Sequence, residues 1–429
     1  MLGFSLGSIS YRQAISRRRE RETWQDLAAK VFGMKNTGLE LIRGLAALMV
    51  LLCHLLLLDG SREALGFLAL AFNWGSTAVI TFFLLSGTVI RLSYDRNPKS
   101  RKQFCIDRVI RIFPLYYIAL TFGILVECFT LGPPTLKVIL GNALFVDTTE
   151  EVWIKSLWTN AALWSISFEM FFYAIFALTI GSHQKLWLKL WAITSLVSAV
   201  LIEIYTPEGP GGHFLLMNAY SCVWLLGYYL IDLKKVIFPN RIMAIGWLAM
   251  LPMADRLALS TQFYSALSAL LSSLMIAPLF IRLLQKETAR RSLRRVSWRE
   301  LIAFIGFYLL FVYLIQHSPS TRRAILIYTI LPLFGLLAAF CFRNLELFQS
   351  KAVERISLLL GRLSFSIYII HLPFNRLANE LPTDSFPLKA LFFLSTSILA
   401  AIFLEFYVQP IASRWLRTIF KNRKTAAPS

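Results

Sequence analysis

The chain has 429 residues, 57% of them hydrophobic and only 16% charged, with a formal net charge of +20 and a mean hydropathy of +0.60. About 245 apolar positions are more than one or two water-soluble cores can hide. A membrane-spanning helix takes about 20 of them, so soluble, disordered, collagen-like and disulfide-scaffold classes are excluded. The expected fold class is all-α: a polytopic transmembrane helix bundle of roughly ten to twelve spans. In that class the basic excess points to cytoplasmic loops facing an anionic leaflet, not to nucleic acid. The five cysteines (Cys53, Cys105, Cys128, Cys222, Cys341) show no CxxC or paired spacing. Neither a disulfide framework nor a metal site is expected.

Residues 1–38 lack the apolar core of a cleavable signal and carry acids among bases. They read as a cytoplasmic basic extension, with 16–32 either an interfacial helix or a flexible tail. The first apolar run, from Leu41, is expected to act as an uncleaved anchor. Twelve apolar segments follow, at about 41–58, 74–92, 110–131, 163–180, 186–204, 215–232, 236–252, 263–284, 301–316, 324–342, 357–374 and 388–408. With the N-terminus inside and strict alternation, 36 of the 44 Lys and Arg fall on the inner side. Both termini are therefore expected in the cytoplasm. The domain division is 1–38 extension, 39–412 membrane domain and 413–429 basic tail.

Ionisable groups inside spans are costly and need partners. In the first segment Arg43 and His54 lie eleven residues apart. That spacing brings them within about 20° of one helix face, about 16 Å apart along the axis. A lone helical histidine is more often a packed, hydrogen-bonded residue, but imidazole is also the side chain suited to moving protons near neutral pH. The second segment carries FFLLSG, residues 82–87, where Ser86 and Gly87 suit close helix packing. Arg108 and Arg111 stand i,i+3 at the inner face. They read either as a fork for phosphate oxygens or as snorkelling cations. Trp164 opens a segment in which Ser165, Glu169 and Tyr173 share a face at i,i+4. Arg43, His54 or a tyrosine is the expected partner of Glu169. The loop 132–162 reads as interfacial, with tryptophan belt residues, or as a lid. Tyr368 and His371 form an i,i+3 polar face near the end, whereas His183, His213 and His317 read as interfacial.

From about Leu39 to Trp415 these blocks, in order, resemble the integral-membrane acyltransferase family 3. The family's Arg-x10-His signature is matched by Arg43 and His54, followed by FFLLSG, Arg108-x-x-Arg111-Ile-Phe-Pro, Trp164-Ser-x-x-x-Glu169-x-x-x-Tyr173 and Ser366-Ile-Tyr368-x-x-His371-x-Pro. Asp107 departs from the pattern, which carries a further basic residue there. The resemblance implies transfer of an acyl group, acetyl by default, from cytoplasmic acetyl-CoA or another acyl-CoA to a sugar hydroxyl of a polysaccharide, lipid-linked oligosaccharide or glycoside, without a metal. His54 is then the general base or a transient acyl carrier, and Glu169 orients or charge-balances it. Arg43 steadies the thioester oxygen or the pantetheine arm, and Arg108 and Arg111 hold the CoA phosphates. Ser86, Trp164, Ser165, Tyr173, Tyr368 and His371 complete the pocket. Membrane lipid, a carbohydrate or glycolipid acceptor and polysaccharide-assembly proteins are the implied partners, at a multi-pass station in the inner (plasma) membrane. A proton-coupled transporter or flippase is the competing class, and a membrane scaffold for polysaccharide assembly a third; acyl-CoA binding separates them from the enzyme.

Overall fold

The computed structural model describes residues 37–66, 69–72, 74–148, 152–205, 208–234, 247, 266–284, 302, 305–306 and 351–425. These residues form no β-strand, only a single bridge between Thr148 and Lys155. Nine helices among them are long and apolar enough to cross a membrane. They are α1 (Thr37–His54), α2 (Gly75–Arg96), α3 (Arg101–Thr130), α4 (Trp164–Thr179), α5 (Gln184–Ile204), α6 (Gly209–Leu233), α7 (Ala266–Leu284), α8 (Lys351–Asn379) and α9 (Phe386–Phe403). Each matches one of the twelve apolar segments; the segments at 236–252, 301–316 and 324–342 lie almost wholly outside the described residues. A π turn, Leu404–Val408, carries α9 on into α10 (Gln409–Thr425). The continuous span of 36 residues, Phe386–Lys421, is about 54 Å long at helical rise. It outruns an apolar layer of about 30 Å, so part of the basic tail is helix.

The apolar surface faces outward as well as inward. On α5, Leu186, Leu190, Ile193, Val197, Val200 and Ile204 are exposed at three- and four-residue spacing, while Leu188, Trp191, Ser195, Ala199 and Ile202 are buried. A helix apolar all round, with its small and polar residues turned inward, belongs in lipid. Two glycine contacts set the core. A Cβ on Gly87 of α2 would run into the Trp224 carbonyl oxygen of α6, and one on Gly227 of α6 into the Leu84 carbonyl of α2. The second pairing is between α1 and α8: a Cβ on Gly44 would lie 2.8 Å from the Leu360 carbonyl carbon.

Two prolines inside helices each free a carbonyl that a buried amide then takes. Pro114 has no N–H for the Ile110 carbonyl, and the Gln409 amide donates there at 3.1 Å and to the Arg111 carbonyl at 3.2 Å. Pro373 likewise frees the Ile369 carbonyl, which accepts from Asn160 Nδ2 at 2.9 Å. With no water in the apolar layer such carbonyls need protein partners. Pro114 thus helps to seat α10 on α3, and Pro373 helps to seat the turn Trp158–Leu163 on α8.

The connection between α3 and α4 is packed down. Its short helix Leu136–Ala143 offers the Asn142 carbonyl to the Tyr116 hydroxyl at 2.7 Å, and the Asn142 side-chain oxygen accepts from the Leu157 N–H at 3.2 Å. Glu127 is buried and accepts from the Thr159 N–H and hydroxyl. Asp147 is fully buried and accepts from the Ser156 hydroxyl at 2.7 Å and from the Ser167 hydroxyl of α4. Burial raises its carboxyl above the ordinary value, against the opposing pull of those two hydroxyls. The folded protein therefore holds this proton to higher pH than the unfolded chain does. The contribution is most favourable below the unfolded value, near about 3.9, and is lost as pH rises through the raised folded value. Asp147→Asn should abolish this dependence, so its melting temperature relative to the parent should rise with pH across that window. Unfolding midpoints of both proteins in detergent, from acid to neutral pH, check it; parallel curves would refute the assignment.

His213 corrects an expectation. The helix α6 begins at Gly209, with proline in its first turn, so this histidine sits in the opening turns of a spanning helix and is fully buried, not in a connecting loop. Its ring lies edge-on to Trp153, with centroids 5.6 Å apart. His183 does lie at a helix end, just before α5; His317 is outside the described residues.

Candidate active site

His54 is the last residue of α1, and the chain turns into a short 3-10 segment, Leu55–Leu57. The terminal carbonyls there lack helical partners, and two asparagines of α8 supply them. Asn375 Nδ2 donates to the His54 carbonyl at 2.7 Å and Asn379 Nδ2 to the Leu57 carbonyl at 3.0 Å. Tyr368, His371, Asn375 and Asn379 recur at three- and four-residue spacing, so one stripe of α8 faces the end of α1.

His371 Nε2 lies 3.1 Å from His54 Nδ1, with ring centroids 4.8 Å apart. His371 Nδ1 faces two carbonyl oxygens, Tyr368 at 2.8 Å and Ile367 at 3.2 Å. His54 Nδ1 also faces the Val50 carbonyl at 2.8 Å. A carbonyl oxygen only accepts, so both Nδ1 atoms carry hydrogen when the rings are neutral. His371 Nε2 is then an acceptor toward His54, and the lone pair of His54 lies on Nε2. His371 is fully buried, whereas His54 is only part-buried. The pair is an acceptor-oriented base.

A second polar cluster lies along α4. The Glu169 carboxylate accepts from the Ser86 hydroxyl at 2.7 Å and from the Tyr173 hydroxyl. Those two hydroxyl oxygens are 2.9 Å apart, and Trp224 Nε1 donates to Ser86 at 3.2 Å. Of the partners open to Glu169 in the sequence, the tyrosine is the one it meets, joined by Ser86 from α2. One helical turn away, Ser165 and Tyr368 share a hydrogen bond of 2.7 Å. Trp164 packs edge-on to Phe83 and Phe168. The predicted Ser165–Glu169–Tyr173 face therefore links the stripe on α8 to the arginine region. The Arg108 guanidinium lies over the Tyr173 and Phe104 rings, 5.5 and 5.6 Å from their centroids. It also lines a cavity with Ser93, Tyr94, Asn97, Lys99 and Asp107.

Several expected pairings are replaced. The polar partner of His54 is His371, and the Glu169 carboxylate is spent on Ser86 and Tyr173. Arg43 Nη1 donates to both oxygens of Glu40, at 2.8 and 2.9 Å. Arg108 and Arg111 do not form one fork: Arg111 pairs with Glu405 of the π turn at 3.2 Å. Asp107, the departure from the motif, pairs with Lys99 and accepts from the Gln103 amide at 2.9 Å. The residues missed from sequence are Glu40, Asn375, Asn379, Glu405 and Gln409. The spacing 368/371/375/379 and an acid inside the apolar run AIFLEFYV were the available signals.

The family model described as Acyltransferase domain matches residues 36–406. The exopolysaccharide production protein ExoZ of Rhizobium meliloti (strain 1021) is 32% identical over 113 residues, covering 25% of this chain and 34% of the relative. The acyltransferase MdmB of Streptomyces mycarofaciens is 29% identical over 174 residues, covering 38% and 43%. The chain thus aligns with less than half the length of either relative. No solved structure matches it significantly. Because that one family model spans residues 36–406, from the start of α1 into the π turn and over well more than half of the chain, the chain belongs to the acyltransferase family 3.

Proposed function

We propose that the protein transfers an acyl group, acetyl by preference, from acyl-CoA at the cytoplasmic face to a hydroxyl of a sugar in a polysaccharide, lipid-linked oligosaccharide or glycoside. It does so as a multi-pass protein of the inner (plasma) membrane with both termini in the cytoplasm. The observation that carries the reading is the histidine pair, which leaves His54 Nε2 as the basic atom in a member of an acyltransferase family.

The chemistry needs one proton route. His54 Nε2 accepts the proton of the acceptor hydroxyl as that oxygen forms its bond to the acyl carbon. The carbon–sulfur bond breaks, and His54 returns the proton to the leaving thiolate, so ester and free thiol are the products. Developing positive charge on His54 is shared through Nδ1–H with the Val50 carbonyl and His371 Nε2, the part an orienting group plays for any such base. Glu169, Ser86, Tyr173, Ser165, Tyr368 and Trp164 line the route between His54 and Arg108, where the donor's phosphates enter. Arg43 lies about 16 Å from His54 along α1. That is too far for it to touch a carbonyl under attack at His54, which leaves the pantetheine arm as its contact. Apolar walls limit hydrolysis of the thioester. Membrane lipid and polysaccharide-assembly proteins are the proposed neighbours.

Membranes containing the protein and its acceptor, supplied with labelled acetyl-CoA, should place label in a glycan or glycoside fraction. Transport of glycan without loss of thioester would refute the reading. Label from another acyl-CoA alone would change the acyl group and leave the donor class.

A further inference from the structure

We infer that Glu405 and Gln409 divide the arginine motif, so that Arg108 alone reads the donor's phosphates while Arg111 belongs to a latch joining the α9–α10 junction to α3. The inference rests on the acyl-CoA reading given above.

Glu405 is 3% exposed, and it sits in the π turn, an irregularity common at functional sites. Its carboxylate meets Arg111 Nη1 at 3.2 Å, Arg362 Nε at 3.7 Å and the Ser366 hydroxyl at 3.1 Å. One turn on, Gln409 donates to the carbonyl that Pro114 orphans and to that of Arg111. Glu405 and Gln409 therefore grip Arg111 by side chain and backbone at once. The guanidiniums are further boxed by rings, Arg111 over Phe365 at 5.5 Å and Arg362 over Phe406 at 4.1 Å. A phosphate approaching Arg111 meets a carboxylate already seated on it. Taking the arginine away would leave that buried carboxylate poorly compensated.

Arg108 is in the opposite condition. Among the described residues no carboxylate forms an ion pair with it, and its buried Nε has no hydrogen-bond partner. Its guanidinium rests on two aromatic faces, which hold a cation in place without neutralising it. It borders the cavity between α2 and α3, whereas Arg111 turns to α8 and the π turn. Glu405 is thus a positioning residue and Arg108 the phosphate contact.

The test compares two donors, acetyl-CoA and S-acetylpantetheine, which carries the same thioester without phosphates or nucleotide. The parent should prefer acetyl-CoA in kcat/KM. Arg108→Gln should lower kcat/KM for acetyl-CoA about 10- to 100-fold, the worth of a hydrogen bond to a charged group. It should leave S-acetylpantetheine and the melting temperature nearly unchanged, and Arg108→Lys should restore part of the loss. Arg111→Gln and Glu405→Gln should keep the donor ratio of the parent while lowering the melting temperature. The double variant should lose less than the two single losses combined, because neither charge is then left buried alone. Arg111→Lys serves if Arg111→Gln fails to fold. Loss of the donor ratio in Arg111→Gln or Arg111→Lys, or its retention in Arg108→Gln, would overturn the division. Transfer from neither donor by the parent would remove the acyl-CoA reading itself, and the division with it.

Discussion

His54→Ala should lower acyl transfer by about two to four orders of magnitude, the usual worth of a positioned general base, in a protein that still folds. The fold survives because the contacts that seat the end of α1 are made by main-chain atoms. Asn375 grips the His54 carbonyl and Asn379 the Leu57 carbonyl, and both remain when the imidazole goes. His371→Ala should cost less, about 10- to 100-fold, because the Val50 carbonyl still holds His54 Nδ1–H when the second acceptor is removed. That loss should fall on kcat, with KM for the donor nearly unchanged, since His371 stabilises charge that appears only as the proton moves. Initial rates of transfer from labelled acetyl-CoA, at varied donor and with melting temperatures alongside, give both numbers. Full activity in His54→Ala would remove the base. An effect of His371→Ala confined to KM would make it a donor contact.

How far the sequence carried this site depends on the range of each interaction. Hydrophobic spans are local patterns, so the nine described helices were legible, down to the Ser165–Glu169–Tyr173 face of α4, which needs only the helical repeat. Partners across helices were not legible. Ser86 is 83 residues from Glu169 and His371 is 317 from His54. Spacing fixes the face a side chain occupies, not the helix that will face it. The phosphate fork had the same weakness. Two arginines at i,i+3 are neighbours on an isolated helix, but on α3 they diverge enough for α2 and α4 to claim one and the π turn the other. Glu405 was hidden by its surroundings: an acid within AIFLEFYV reads as part of a span, although a lone carboxylate there has to have a partner. Pro114 and Gln409 were visible separately. Only the orphaned Ile110 carbonyl explains why a proline in α3 and a glutamine in α10 belong together.

Gly87→Ala should destabilise the bundle by at least about 3 kcal/mol, the upper end of what overpacking costs. The added methyl would meet main chain, not a side chain that can swing away: the Trp224 carbonyl oxygen, with the Tyr228 nitrogen at 2.9 Å and the Trp224 carbonyl carbon at 3.0 Å. Relief therefore requires α2 and α6 to separate as rigid bodies. That separation would stretch the Thr88–Gly227 hydrogen bond of 2.9 Å and the Trp224–Ser86 bond of 3.2 Å. Ser86 is a ligand of Glu169, so any Gly87→Ala protein that does fold should also transfer acyl groups more slowly. Gly227→Ala should behave alike, because its methyl meets the Leu84 carbonyl from the other side. The control lies in the same helix. A Cβ on Gly211 has nothing within 4 Å, so Gly211→Ala should be neutral, or stabilise by about 0.4–1 kcal/mol through lost freedom of the unfolded chain. Unfolding midpoints of the three variants in one detergent decide the matter. If Gly87→Ala melts with the parent, the two backbones do not touch there, and the glycine of the FFLLSG motif needs another explanation.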